Sequence, residues 1–156
     1  MDPALIKWIL VMLHIITAAA WFGLGLRIAG QARAVVAAGT GAGDALADAT
    51  GRSIGLMNIF AALTFVIGLA AFLVGGGFTG YGWPYHASIT TVLLLVAVQF
   101  VLIRGSWKKL EAARGTDADA AQSAVKRLAM GTGVGHLLWL TTLVLMYMRS
   151  IFGPFT

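Results

Sequence analysis

Cysteine is absent from this 156-residue chain. That excludes disulfides, thiolate metal sites, iron–sulfur clusters and thioether-attached haem, so any cofactor must rest on His, Met, carboxylate or polar groups. Charge is scarce too. Only 11% of the residues are Asp, Glu, Lys or Arg, against about 25% in soluble domains. The acids are Asp2, Asp44, Asp48, Glu111, Asp117 and Asp119, and none falls inside a long apolar run. A proton pump or carboxylate-driven transporter needs buried acids as relays, which argues against that class. No Ser/His/Asp set is visible. The Gly-rich "GTGVGH" lies inside an apolar run with no strand before it, so it is no nucleotide motif.

What the chain does have is apolar length, with 59% hydrophobic residues. Four runs, at about 4–26, 54–76, 87–103 and 128–148, are long enough to span a membrane, which takes roughly 20 residues. They occupy over half the chain and leave no room for a soluble domain. The expected fold is all-α: a single integral membrane four-helix bundle over residues 1–156, up-down-up-down with short connections.

The net charge of +5 does not indicate nucleic-acid binding, because the basic residues cluster at the ends of the spans. Loop one carries Arg27, Arg33 and Arg52. Loop three carries Arg104, Lys108, Lys109, Arg114, Lys126 and Arg127, whereas loop two (77–86) has none. The tails add only Lys7 and Arg149. The positive-inside rule then places loops one and three in the cytoplasm, with both termini on the outer, periplasmic side of a bacterial inner membrane. The first run resembles a signal peptide in having Lys7, an apolar stretch and Ala18–Ala20. Its apolar character continues through Trp21 and Phe22 to Leu26, and its basic side follows the run, so it is read as a span.

Between the spans, "GTGAG" breaks loop one, and Asp44–Ala49 suggests a short turn of helix. In loop three "WKKLEAARG" continues span three, Gly115 stops it, and Thr116–Asp117 offers a cap for span four. Loop two, "GGGFTGYGWPYH", reads as an interfacial aromatic turn through Tyr81, Trp83 and Tyr85, with a ligand-binding loop as the alternative. In span two Met57, Ala61, Thr64, Gly68, Ala71 and Gly75 recur at spacings of three and four. They form one stripe that a neighbouring helix or a flat cofactor could approach closely. Gly131 and Gly135 make a small-xxx-small pair in span four.

Three histidines remain. His14 lies near the middle of span one and His136 inside span four, with depths that differ by roughly 6 Å at 1.5 Å per residue. Two inward imidazoles at similar depth beside small residues are what axial ligation of a haem iron requires. Gly133 and Ala18 would give room, and Trp21 shares the face of His14. The competing reading for each is an interhelical hydrogen bond. Gln99, the polar residue inside span three, would either fix an imidazole tautomer or bond another helix. His86, at the end of span three, reads as a surface residue, with a second metal or haem site as the alternative.

"LHIITAAAWFGLGLR" resembles the first helix of small bacterial four-helix membrane proteins, the HemJ-type protoporphyrinogen oxidases and the copper-resistance D proteins. Those helices read "LHI", small residues, "W", then an aromatic or small residue and "G". The resemblance implies that His14 is a haem b ligand. HemJ-type proteins also share a lysine within the third helix, where this chain has Gln99.

The expectation is a haem b-binding membrane protein serving electron transfer or a larger redox complex. His14 and His136 would bind the iron, and Trp21, Gly133 and Gln99 would shape the pocket. The alternatives are a cofactor-free structural subunit, a HemJ-like oxidase and a copper-handling protein. Expected partners are membrane lipid and a homodimer or larger membrane complex, with no nucleic acid.

Overall fold

The computed structural model describes residues 2–152, with side chains as far as Met148. Arg149, counted above with the C-terminal tail, has its side chain outside that range. The elements are α1 (Pro3–Ala38), α2 (Asp44–Val74), a four-residue α3 (Gly77–Gly80), α4 (Trp83–Ala97), a π-helical segment (Val98–Arg104), α5 (Gly105–Ala113) and α6 (Ala118–Phe152). Four helices, Pro3–Ala38, Asp44–Val74, Trp83–Ala113 and Ala118–Met148, are long and apolar enough to cross a membrane.

The helix ends follow local chemistry. Pro3 takes the first turn of α1, where its missing N–H costs nothing, and the Asp2 carboxylate accepts from the Ala4 N–H at 3.0 Å. Gly39 closes α1 with φ at +70°, a region only glycine enters freely. As the sequence suggests, Gly115 (φ +82°) ends α5, and Asp117 caps α6 by accepting from the Ala120 N–H at 2.9 Å.

The helices run further than their apolar cores. The second span begins at Asp44 rather than at residue 54, so the short turn expected at Asp44–Ala49 is the first part of α2 itself. The 36 residues of α1 make a rod of roughly 54 Å, against about 30 Å of hydrocarbon in a bilayer. The connections shrink accordingly to residues 39–43 and 114–117. They meet each other: Arg114 pairs with Asp44, and a Cβ on Gly115 would come within 2.6 Å of the Thr40 methyl.

Successive helices pack as antiparallel neighbours, and α6 closes the ring against α1. One end of the bundle is basic, the other aromatic. Large apolar side chains such as Leu13, Ile16, Leu26, Val66 and Leu137 face outward, while Thr17, Thr50, Ser88, Gln99, Thr132 and Thr142 are buried. This reverses the soluble pattern. A lipid-facing surface needs no polar groups, and interior hydroxyls and amides can bond across helices. The dense core sits towards the basic end. There Ile28, Ala32 and Val35 of α1 meet Ala47, Ile54 and Met57 of α2, Ile103, Trp107, Leu110 and Leu128.

Candidate functional site

Towards the aromatic end side chains do not fill the bundle. A cavity of about 560 Å³ lies between α1, α2, α4 and α6, within the range that holds small molecules and cofactors. The small-residue stripe of α2 forms one wall, through Ala61, Thr64, Gly68 and Ala71.

His14 projects onto this cavity. Its Nδ1 lies 2.8 Å from the Thr64 backbone carbonyl of α2. A carbonyl can only accept, so in the neutral ring Nδ1 carries the proton and donates. Nε2 is left with its lone pair, and the hydrogen bond of this ring among the described residues is the one through Nδ1. The same turn is tied twice, because the Thr64 hydroxyl donates to Thr17 at 3.1 Å. Gly68 lets the ring lie flat against α2: a Cβ there would stand 2.6 Å from both Nδ1 and Cε1 of His14.

His136 sits elsewhere. Its ring packs on Phe22 (4.7 Å between centroids) and edge-on to Trp21 (5.9 Å). Its Nε2 is pressed towards Gly25, where a Cβ would come within 2.7 Å. That nitrogen is buried without a hydrogen bond among the described residues. His136 is not on the cavity wall. Gly25 and Phe22 lie eight to eleven residues beyond His14 on α1, roughly 12–16 Å along the axis. Two ligands on one metal ion, with bonds of about 2 Å, sit within about 4 Å of each other. The structure therefore does not bring His14 and His136 to a common iron.

Two of the expected pocket residues also lie elsewhere. Gly133 is exposed, with open space around it; the glycine that gives room is Gly135, where a Cβ would meet the Trp21 ring at 2.9 Å. Gln99 hydrogen-bonds to no imidazole among the described residues. Its Oε1 accepts from Trp21 Nε1 at 2.9 Å, and its Nε2 donates to Asn58 Oδ1 at 2.9 Å. The interhelical alternative is the one realised, linking α1, α2 and the π-helical segment. Trp21 does line the cavity. Its indole N–H points away to Gln99, which fixes the ring as a partition between cavity and core.

The aromatic turn is divided. Trp83 is exposed, whereas Tyr81 and Tyr85 line the cavity. His86 is half-buried against Phe72 and Phe78, and its Nε2 is buried without a hydrogen bond among the described residues. No group of three or more His, Cys, Asp or Glu able to hold a metal ion occurs among the described residues. A porphyrin brings four of its iron's ligands itself, so one protein imidazole is enough for that class of group.

Sequence reasoning missed three participants. Thr64 was counted for its size, not for its carbonyl. Asn58 was passed over at the edge of an apolar run. Lys7, read as a tail charge, reaches the cavity wall, with Nζ 5.6 Å from the Tyr81 ring centre.

Compared with known protein families, curated proteins and solved structures, the chain matches none.

Proposed function

We propose that this chain is a multi-pass protein of a bacterial inner membrane that binds one haem b in the cavity, with His14 as its axial ligand, and serves membrane electron transfer. By the positive-inside rule the basic end faces the cytoplasm, and the aromatic end with both termini faces out. One observation carries the haem reading. The Thr64 carbonyl holds the Nδ1 proton of His14, so Nε2 is presented to an apolar cavity as an unprotonated donor. Metal-ligating histidines are oriented in this way.

The donor set fits the group. Imidazole nitrogen is a haem ligand, the small residues Ala18, Ala61 and Gly68 leave space beside it, and aromatic and aliphatic side chains make up most of the wall. A bound haem b would supply a one-electron couple. The protein's part is to fix the imidazole through Thr64 and Gly68 and to wall the site with Trp21.

A specific observation favours a second reading. His14 is the one histidine on the cavity wall among the described residues, so it would hold a bound haem without a second imidazole. That suits the HemJ-like oxidase which the first helix resembles. It suits a cofactor-free subunit less well.

The test is an optical spectrum of the protein purified from haem-replete cells in mild detergent, oxidised and dithionite-reduced, with His14→Ala and His136→Ala beside it. We expect a Soret band lost in His14→Ala and kept in His136→Ala. A colourless wild type would sink the haem reading. Loss in both variants would restore a bis-histidine iron.

A further inference from the structure

We infer that Lys7 is the carboxylate-binding group of this cavity and sets which way its ligand points. The inference rests on the haem reading and extends it to the ligand's acidic edge.

Lys7 precedes His14 by seven residues. Seven residues are close to two helical turns, so both side chains leave the same face of α1, about 10 Å apart along its axis. Both line the same cavity. Lys7 is the one charged residue on that wall among the described residues, and no carboxylate lines it. Nor does Lys7 form an ion pair within the described residues, where the recorded bridge is Arg114 to Asp44 at the opposite end. Its contact is the face of Tyr81, a cation–π approach that leaves the ammonium's N–H groups available. The Lys7 side chain is half-buried along the cavity wall, and an ammonium drawn in beside apolar walls is costly unless an anion meets it.

The cavity thus has an ordered polarity. A cation stands at the aromatic end and an unprotonated imidazole nitrogen deeper in. Apolar side chains make up most of the remaining wall, among them Val11, Phe65, Phe72 and Ile89. The complementary ligand is a flat apolar body that meets His14 at its centre and carries carboxylates along one edge. Haem b has that chemistry in its two propionates. Lys7 would draw that edge towards the aromatic end and leave the apolar edge against Trp21.

The experiment uses the full chain produced without haem and titrates it with iron protoporphyrin or with its dimethyl ester, which lacks the carboxylates. A charge-assisted contact is worth roughly 1.5 kcal/mol or more, so the wild type should prefer the free acid by about tenfold. In Lys7→Met the two porphyrins should bind within about twofold of each other, and Lys7→Arg should restore the preference. A lysine that only anchors the helix end at the membrane surface would weaken both porphyrins alike and leave their ratio unchanged; that result overturns the inference and leaves the haem reading intact. Equal binding of acid and ester by the wild type overturns it without reliance on any variant. A wild type that takes up neither porphyrin overturns the haem reading and this inference together.

Discussion

Gly68→Ala is the smallest change that should disturb the site. The added Cβ would stand 2.6 Å from Nδ1 and Cε1 of His14. Ordinary contact begins near 3.4 Å, so the ring or the helix must give by about 0.8 Å (3.4 minus 2.6). The ring is held by a 2.8 Å hydrogen bond to Thr64, one turn from Gly68 on the same helix. Two effects oppose each other. Alanine improves a helix interior by roughly 0.8–1 kcal/mol. Overpacking a tight contact costs about 1–3 kcal/mol, and a strained imidazole bond forfeits up to about 1 kcal/mol more. The sum favours destabilisation by about 1–2 kcal/mol. Its sharper signature is in ligand binding, where disturbing the partner that orients a ligating histidine typically costs 10–100-fold. The assay is haem titration followed at the Soret band, with thermal unfolding of the apo protein alongside. Gly23→Ala is the control, because nothing lies within 4 Å of its Cβ; it should be neutral or slightly stabilising. If Gly68→Ala bound haem as tightly as Gly23→Ala and unfolded no earlier, the placement of His14 on α2 would be wrong.

Three further predictions concern the rest of the bundle. Gln99→Leu leaves the indole of Trp21 and the amide of Asn58 without their partner and should cost about 1–2 kcal/mol. A double-mutant cycle with Trp21→Phe should return a coupling near 0.6 kcal/mol, the average for such bonds in membranes, and zero coupling would refute the link. At the basic end, Gly115→Ala forces a side chain into a φ of +82° against Thr40 and should destabilise by about 1–2 kcal/mol in thermal unfolding. Asp44→Ala breaks a bridge whose carboxylate is 58% exposed and should cost less than about 1 kcal/mol.

The four apolar runs, the basic connections and the glycine stop at Gly115 were legible because hydropathy, charge and backbone freedom are properties of short segments. Helix length was not. "DALADATGRS" is no more hydrophobic than a loop, yet it forms the first turns of α2 because it packs beside α1, with Ala47 and Thr50 buried. Depth was legible only in direction. Counting residues from the span ends placed His14 further from the basic end than His136, and so it is, but by roughly 12–16 Å rather than 6 Å. No sequence count includes the vertical offset between α1 and α6. That offset is set by side chains nesting on small residues: His136 on Gly25 and Trp21 on Gly135. The stripe in α2 carried the usable signal, because it marked the wall that His14 meets. Gly133 misled because it is next to the nesting positions in sequence but turned outward on the helix.

Three of the five tryptophans, Trp8, Trp21 and Trp139, stand on the cavity wall. Trp107 lies in the core towards the basic end, and Trp83 is exposed at the aromatic end. The bundle thus has its own optical gauge. A guest in the cavity lies beside a wall that carries three indoles, whereas Trp107 is not on that wall. Filling of the site by a coloured or a colourless guest can therefore be followed in the unlabelled protein, by emission quenching in the first case and by a spectral shift in the second.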